Sequence, residues 1–231
     1  MVYTKQQVQD NIRNADGRLV FYLGSRDRLT EEAKDYLAGR KIPVLPAREA
    51  RPEKYRLENG ATFLEKPEWM THLRGDILVP KTHPRIRFRG AMDTLESELL
   101  LCQRDCARYR QELGEILALA RQIVRCEVME EPLKPLSLCG LTAQELRHKS
   151  HFPQETLGIA HFMPQWDEKA PILLLNRARC VARQAELAGA AAFCRAGSTP
   201  ERVDILQALN RMSSMLYLLM LRAKAGDGAD G

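Results

Sequence analysis

Long proline-free segments are the feature that most constrains how this chain can fold. Residues 90–130 contain no proline and one internal glycine, Gly114, and residues 172–195 contain no proline and one glycine, Gly189. Apolar residues recur every three to four positions in both segments, and again in residues 201–224. The pattern predicts a mainly α protein with four or five helices. Their short connections favour an antiparallel bundle.

The sequence also indicates where two of the predicted helices are separated. Residues 90–130 carry two apolar stripes, which predict two antiparallel helices with a break near residues 104–110, although the pattern alone also allows one long helix. A shorter helix is expected over residues 141–151, because Thr142 and Glu145 have the spacing of a capping box. Residues that follow it, up to Pro171, are expected to be mostly irregular.

The first 50 residues predict a small α/β appendage. A β-rich run covers residues 18–23, a helix is expected over residues 31–38, and a short strand returns at residues 42–45. The bundle domain is then expected to cover residues 67–231.

Between these domains the sequence predicts a linker. Residues 51–66 are rich in charge, and a short hairpin is expected around Asn59-Gly60. Residues 66–89 are expected to be a loop rich in hydroxyl and basic groups, of a kind that can bind phosphate before a helix.

Composition narrows the functional classes. The chain has 35 basic and 30 acidic side chains, a net charge of +5. This excess suits a phosphorylated ligand, but the basic, aromatic-containing runs of nucleic-acid binding are missing. No apolar stretch approaches the roughly 20 residues that span a bilayer, and the N-terminus lacks an apolar signal core. A cytoplasmic protein that binds neither nucleic acid nor membrane is expected.

The six cysteines form no CxxC pair. Cys102 and Cys106 are four positions apart and can share a helix face, but no third or fourth ligand lies nearby in the sequence. We therefore expect reduced thiols that pack as small apolar groups, and no metal site built from protein ligands.

A polar stripe stands out on the predicted helix over residues 172–195. Asn176, Arg179, Arg183 and Glu186 are spaced three, four and three positions apart, so one helix face carries an amide, two guanidinium groups and a carboxylate. The stripe predicts a site that binds an anion. The alternative is a solvated surface ion pair. Packing is expected on the opposite side, through Leu173, Val181, Leu187 and several alanines.

The last helix carries a second stripe. Asn210, Ser213 or Ser214, and Tyr217 interrupt an otherwise apolar segment at helical spacing. These residues either face solvent or belong to a site.

Four segments, in this order along the chain, resemble the PduO/EutT-type ATP:cob(I)alamin adenosyltransferases, closest to their ethanolamine-utilization branch. The resemblance covers about residues 66–221, and residues 28–44 are similar to the small leader of that branch. The four segments are residues 79–93 (VPKTHPR continuing to GxxD), 162–164 (FMP), 176–186 (NRARCVARQAE) and 204–214 (DILQALNRMSS).

The resemblance implies a transferase that moves the 5′-deoxyadenosyl group of ATP onto cob(I)alamin and releases triphosphate. ATP, Mg²⁺ and the cob(I)alamin/cob(II)alamin pair are the implied ligands, and a B12-dependent enzyme such as ethanolamine ammonia-lyase is the implied user of the product. A homo-oligomer, a trimer in the wider family, is implied. Further implied partners are a flavoprotein reductase, the B12-dependent lyase and a component of a bacterial microcompartment, whose interior is an alternative location.

The resemblance also implies roles for individual residues near the phosphates of ATP. Lys81 and Arg85 would contact the nucleotide, and Thr71 and His72 stand where the family has its phosphate loop. The residues with the other implied roles lie on predicted helices and on one loop.

In the catalytic set, Arg179 would pair with Asp93 across a subunit interface, and Arg183 would hold triphosphate. Glu186 would hold the ribose or Mg²⁺, and Asn210 the nucleotide. Phe162 would close the lower axial face of the corrin.

The chain departs from the family pattern at several positions. Gln165 and Trp166 replace a glycine pair, Gln184 replaces a second arginine, and Ser214 replaces an aspartate. Residues 54–64 contain neither histidine nor cysteine, so the divalent-metal cluster of some members is not expected.

Two alternative functions remain open at this point. One is a non-catalytic interaction module of a microcompartment that docks through residues 1–45. The other is a corrinoid carrier without ATP chemistry.

Overall fold

The computed structural model describes residues 1–15, 18–47 and 55–226. The chain forms two compact units, Met1–Val79 and Pro80–Gly231. The boundary follows Val79 rather than residue 66, because residues 55–80 form strands. Residues 48–54, most of them within the predicted linker, lie outside the described part.

The start of the first unit is a small α/β fold, as expected. Thr30 caps its second helix by accepting a hydrogen bond from the amide of Ala33. The order β2-β3-β5 forms one sheet, in which β3 pairs parallel to β5. The elements are β1 (Val2–Tyr3), α1 (Lys5–Asp10), β2 (Arg13–Ala15), β3 (Arg18–Leu23), β4 (Arg28–Leu29), α2 (Glu31–Gly39) and β5 (Val44–Pro46).

A four-stranded sheet completes the first unit. Its strands are β6 (Tyr55–Leu57), β7 (Thr62–Phe63), β8 (Met70–Arg74) and β9 (Ile77–Pro80), in the order β7-β6-β9-β8. The antiparallel pairing of β6 with β7 confirms the hairpin at Asn59-Gly60.

The prediction of a loop over residues 66–89 is wrong. Met70, Leu73, Leu78 and Val79 are buried, so two short strands form within a stretch whose hydroxyl and basic groups indicated a loop. Gly75 turns the chain between them at a φ of 48°, in the left-handed region that glycine tolerates.

The second unit is an antiparallel helical bundle, as predicted. Its main helices are α3 (Pro84–Asp105), α4 (Arg110–Met129), α5 (Ala143–His151), α6 (Pro153–Leu157), α7 (Ala170–Phe193) and α8 (Val203–Lys224). Helix α3 packs against α4 and α7, α7 packs against α8, and α8 packs against α5. One continuous apolar core fills the space between them.

The helix boundaries follow local chemistry. Residues 90–130 form two helices rather than one, and a 3₁₀ turn at Ala107–Tyr109 separates them. Thr142 and Glu145 form the predicted capping box at the start of α5. The expectation of irregular structure after residue 152 missed the short helix α6. Pro153 fits its first position, and Gly158 ends it at a φ of 70°.

The buried face of α7 differs from the expected one. Leu173 and Leu187 are 37% and 70% exposed. The buried residues are small in the middle of the helix: Ile172, Leu175, Ala178, Ala182, Ala185, Gly189 and Phe193. Small side chains let neighbouring helices approach closely. A Cβ on Gly189 would lie 3.2 Å from Leu209 Cδ1 and 3.3 Å from Phe88 Cε2. The polar stripe therefore borders the buried face instead of opposing it.

No helix within the described ranges combines the length and the apolar character that crossing a membrane requires.

Candidate functional site

The two polar stripes face each other where α7 and α8 run antiparallel. Glu186 Oε1 accepts a hydrogen bond of 2.7 Å from Asn210 Nδ2. Two helical turns away, the guanidinium carbon of Arg179 lies 5.9 Å from the centre of the Tyr217 ring. We call the residues along this line the α7–α8 seam: Arg179, Arg183, Glu186, Asn210, Arg211 and Tyr217.

Arg183 lies between these two contacts along α7 and is exposed. It forms no hydrogen bond or ion pair with any residue in the described part of the chain. Opposite it on α8, the hydroxyls of Ser213 and Ser214 both donate to the Asn210 carbonyl. An exposed guanidinium without a protein acceptor, beside a polar seam, is available to an anionic ligand.

Arg211 extends the seam into the bundle. It donates a hydrogen bond to Asn210 Oδ1, yet its Nη1 is buried and has no acceptor among the described residues. Burial lowers the pKa of Arg211, the nearby charge of Arg147 lowers it further, and Glu186 opposes both. A buried donor without a partner costs free energy unless a ligand or water satisfies it. Nη1 of Arg211 can therefore donate a hydrogen bond to an acceptor on a ligand or to water.

Arg179 is held in position by its own helix. Its Nη2 and Nε donate to Asn176 Oδ1 at 2.9 Å and 3.3 Å. Asp93 is exposed on α3 and forms no ion pair within the part of the chain that the structure describes. Within one chain, then, the expected Arg179–Asp93 pair is not formed.

Asp93 nevertheless lies level with the α7–α8 seam along the bundle axis. Helices α3 and α7 are antiparallel, because Phe88 packs against Phe193 and Glu98 accepts a 2.6 Å bond from Arg177. Asp93 is midway between the two α3 residues, which places it level with the middle of the interval from Arg177 to Phe193.

Arg85 lies in a different network. Its Nε donates to the fully buried carboxylate of Glu127, and Arg89 Nε donates to the other oxygen of that carboxylate at 2.6 Å. Arg85 also donates to the Glu127 carbonyl at 2.8 Å. The structure therefore gives this residue a role in joining α3 to α4, in addition to any contact with a ligand.

The other residues expected near phosphate precede the bundle or begin it. Thr71 and His72 lie on β8, and His72 Nδ1 is 3.0 Å from the Gly75 carbonyl. Lys81 is exposed in the turn between β9 and α3.

Phe162 lies on the irregular segment between α6 and α7 and packs half-buried against the core. The ammonium group of Lys224 is 5.4 Å from the centre of its ring, and Lys224 also bonds to Glu168 at 2.7 Å. Met163 and Trp166 in the same segment are 82% and 89% exposed. We call residues 159–168 the Phe162 loop.

Sequence reasoning missed several residues of this region. Arg211 lies within residues 204–214 and has no role implied by the resemblance, although an arginine inside an apolar helix is a usable signal. His161 went unnoticed because its partner, Tyr217, is distant in sequence.

Among the described residues, no three side chains of metal-binding types converge, and Cys102 and Cys106 lie with sulfur atoms 3.8 Å apart.

The fold and the seam define a helical bundle with a line of arginine, glutamate and asparagine side chains between two antiparallel helices. A model of the cobalamin adenosyltransferase family matches residues 64–223, which include the bundle from its first helix to its last. The chain belongs to this family.

Curated relatives agree with that match. The chain is 34% identical over 163 residues to the corrinoid adenosyltransferase EutT of Salmonella typhimurium, covering 70% of this chain and 61% of the relative. It is 32% identical over 158 residues to the corrinoid adenosyltransferase EutT of Escherichia coli K12, covering 68% and 59%. The chain thus spans about three fifths of the length of these relatives. No solved structure matches it.

Proposed function

We propose that the protein transfers the 5′-deoxyadenosyl group of ATP to cob(I)alamin, giving adenosylcobalamin and triphosphate. The observation that carries the proposal is the α7–α8 seam, where the Arg183 guanidinium and Arg211 Nη1 have no acceptor within the described ranges and lie beside Glu186 and Asn210. Family membership supplies the substrate class.

The chemistry explains the residue types. Co(I) is itself the nucleophile, so it attacks C5′ of ATP without help from a general base. The cobalt–carbon bond forms, the C5′–oxygen bond breaks, and triphosphate leaves with the bonding electron pair. The protein must hold both substrates in line and stabilise charge on the leaving group. Arg183 and Arg211 are the groups that the seam offers for this purpose.

Glu186 is the carboxylate of the seam and suits a nucleotide-bound magnesium ion. Mg²⁺ is commonly held by one or two carboxylates together with substrate phosphates. One carboxylate beside arginines meets that requirement only when phosphate is present. Glu186 would hold Mg²⁺ with ATP, or else the ribose, and Asn210 would orient Glu186 through its amide.

The Phe162 loop is the proposed contact for the corrin. An apolar ring at the lower axial face would exclude the nitrogenous ligand and favour four-coordinate Co(II), which is easier to reduce to Co(I). Phe162 is the aromatic side chain that this loop holds against the bundle.

The remaining proposals concern assembly. Asp93 would pair with Arg179 of a second copy, since each lies at the height of the seam. Lys81, Arg85, Thr71 and His72 would assist nucleotide binding. The relatives' name implies ethanolamine utilization. A B12-dependent lyase, a reductase and a microcompartment are therefore proposed surroundings, with the first unit as a docking module.

One turnover assay tests the function. Purified protein, Mg²⁺, ATP and chemically reduced cob(I)alamin should give a light-sensitive alkylcobalamin and triphosphate, with no partner protein needed. Arg183→Ala should lower kcat/KM by roughly 100-fold or more. Arg195→Ala is the matched control, because Arg195 is an exposed arginine just beyond the same helix and pairs with Glu201 at 2.8 Å. No product from the unaltered protein would refute the proposed function.

A further inference from the structure

His161 joins the Phe162 loop to two helices of the bundle. Its Nδ1 lies 2.5 Å from the hydroxyl of Tyr217 on α8, and its Nε2 lies 3.3 Å from the carbonyl of His151 on α5. The His161 and Tyr217 rings are nearly parallel, with 17° between their planes and 5.7 Å between their centres. The residue that precedes Phe162 is thus fixed on both sides of its ring.

The hydrogen-bond partners of the His161 ring determine which of its two nitrogens carries the hydrogen. A carbonyl oxygen only accepts hydrogen bonds, so Nε2 carries a hydrogen and donates to His151. In the neutral ring Nδ1 is then an acceptor, and the Tyr217 hydroxyl donates to it. Burial raises the pKa of Tyr217, while the positive charge of Arg179 lowers it. The phenol therefore keeps its proton at neutral pH and stays a donor.

Tyr217 has two contacts on different parts of its side chain. Its hydroxyl bonds to the loop through His161, and its ring lies beneath the guanidinium of Arg179. A second attachment holds the other end of the loop, where Lys224 contacts both Phe162 and Glu168. The loop expected to meet the corrin and a residue of the nucleotide groove thus share one tyrosine.

We infer that His161 and Tyr217 are positioning residues that hold Phe162 against the corrin, with Tyr217 linking the corrin loop to the nucleotide groove. The inference rests on the proposed function. It follows from the reach of the two contacts: His161 is the immediate neighbour of Phe162, so loss of its hydrogen bonds frees the backbone that sets the position of the Phe162 ring.

The hydroxyl and the ring of Tyr217 should have separable effects on the KM for cobalamin and the KM for ATP. Tyr217→Phe removes the hydroxyl and keeps the ring beneath Arg179. It should therefore raise the KM for cobalamin and leave the KM for ATP unchanged. Tyr217→Leu removes the ring as well, so it should raise both values.

The test uses the full-length protein with cob(II)alamin and ATP. The fraction of four-coordinate Co(II) is measured by its absorption and magnetic circular dichroism bands. His161→Ala and Tyr217→Phe should each lower that fraction several-fold and raise the KM for cobalamin by roughly five- to tenfold, the size expected for one lost hydrogen bond.

Two further variants separate positioning from general damage. His161→Asn places an oxygen near the position of Nδ1 and should recover part of the loss. The double variant His161→Ala/Tyr217→Phe should be no worse than His161→Ala alone, because His161→Ala already removes the bond to Tyr217. His148→Gln, an exposed histidine on α5, is the matched control, and unfolding temperatures of all variants are compared.

The inference is overturned if His161→Ala and Tyr217→Phe keep the four-coordinate fraction and the KM for cobalamin of the unaltered protein. It is also overturned if kcat falls while both KM values and the spectrum stay unchanged. Failure of the proposed function looks different, because the unaltered protein would then form no adenosylcobalamin at all.

Discussion

Two carboxylates of the bundle are surrounded by arginine, and they differ in whether their networks are complete. Glu127 on α4 is fully buried and receives bonds from Arg85 and Arg89, so each of its oxygens has a charged donor. Glu186 on α7 accepts a bond from Asn210, and Asn210 in turn accepts from Arg211, whose buried Nη1 has no acceptor among the described residues.

Under the proposed function, this difference separates a network that stabilises the fold from one that binds a ligand. A buried ion pair persists when its partners satisfy one another, since an uncompensated charge in the interior is costly. The Glu127 network meets this condition within one chain. In the Glu186 network, Arg211 Nη1 has no acceptor among the described residues, and the proposed triphosphate would supply one. Four measurements test this contrast, beginning with the largest expected effect.

Replacing Glu127 should damage the fold most. Glu127→Ala removes the buried carboxylate to which both Arg85 and Arg89 donate, and should lower the free energy of unfolding by about 3–5 kcal/mol. Denaturant unfolding followed by circular dichroism measures the loss. A change below about 1 kcal/mol would contradict the assignment of a stabilising role.

Replacing Glu186 should damage activity and spare the fold. Glu186→Gln keeps an oxygen to accept from Asn210, so the free energy of unfolding should change by less than about 1 kcal/mol. The loss of negative charge should lower kcat/KM for Mg²⁺-ATP by roughly 30-fold, which corresponds to about 2 kcal/mol. Stability loss equal to that of Glu127→Ala would remove the contrast between the two networks.

Lowering the pH should destabilise the contact between the end of α4 and the start of α8. The expected loss in free energy of unfolding is smaller than that for Glu127→Ala. Burial raises the pKa of Asp204, but bonds from Arg202 and from the amides of Leu133 and Ile205 outweigh it and bring the pKa to about 2, below the ordinary 3.8. Because the folded-state pKa is lowered, the ionised carboxylate stabilises the protein above about pH 4, and this contribution disappears as the pH falls towards 2.

The comparison is between the unaltered protein and Asp204→Asn. The side chain is 30% exposed, so after allowance for solvent screening we expect a difference of about 1 kcal/mol at pH 7. That difference should shrink between pH 4 and pH 2. A constant difference across this range would show that the charge of Asp204 is not its source.

The smallest effect is expected at a surface pair. Arg121 bonds to Glu96 at 3.0 Å across α3 and α4, and the arginine side chain is 58% exposed. Glu96→Gln should change the free energy of unfolding by less than about 0.5 kcal/mol, and 0.5 M salt should abolish even that. A loss as large as that of Glu127→Ala would mean that burial does not distinguish the pairs.

Sequence reasoning succeeded where the determinants are local. Helix periodicity located the bundle, and the capping box at Thr142 and Glu145 fixed the start of α5. It failed for β8, where five residues with three polar side chains show little alternation, and for β9, where four apolar residues that end in a proline are too few to identify a strand. It also placed the packing side of α7 opposite the polar stripe. Small residues such as Ala182 and Gly189 form the middle of the buried face, whereas Leu187, which was expected there, is exposed.

Residues of the site were predictable only as far as one helix extends. Arg179, Arg183 and Glu186 could be grouped by spacing, since they share a face. The bond from His161 to Tyr217 and the unsatisfied nitrogen of Arg211 depend on how separate segments pack. No periodicity within one helix encodes such pairs.

The exposed indole of Trp166 gives the protein an internal optical reporter. The chain has two tryptophans, and this one is 89% exposed, four positions from Phe162. A corrin seated on Phe162 would lie within energy-transfer distance of that indole and absorb its emission. The part of the tryptophan quenching that Trp166→Phe removes, leaving only Trp69 to emit, would therefore follow occupancy of the loop during titration with cobalamin, independently of adenosyl transfer.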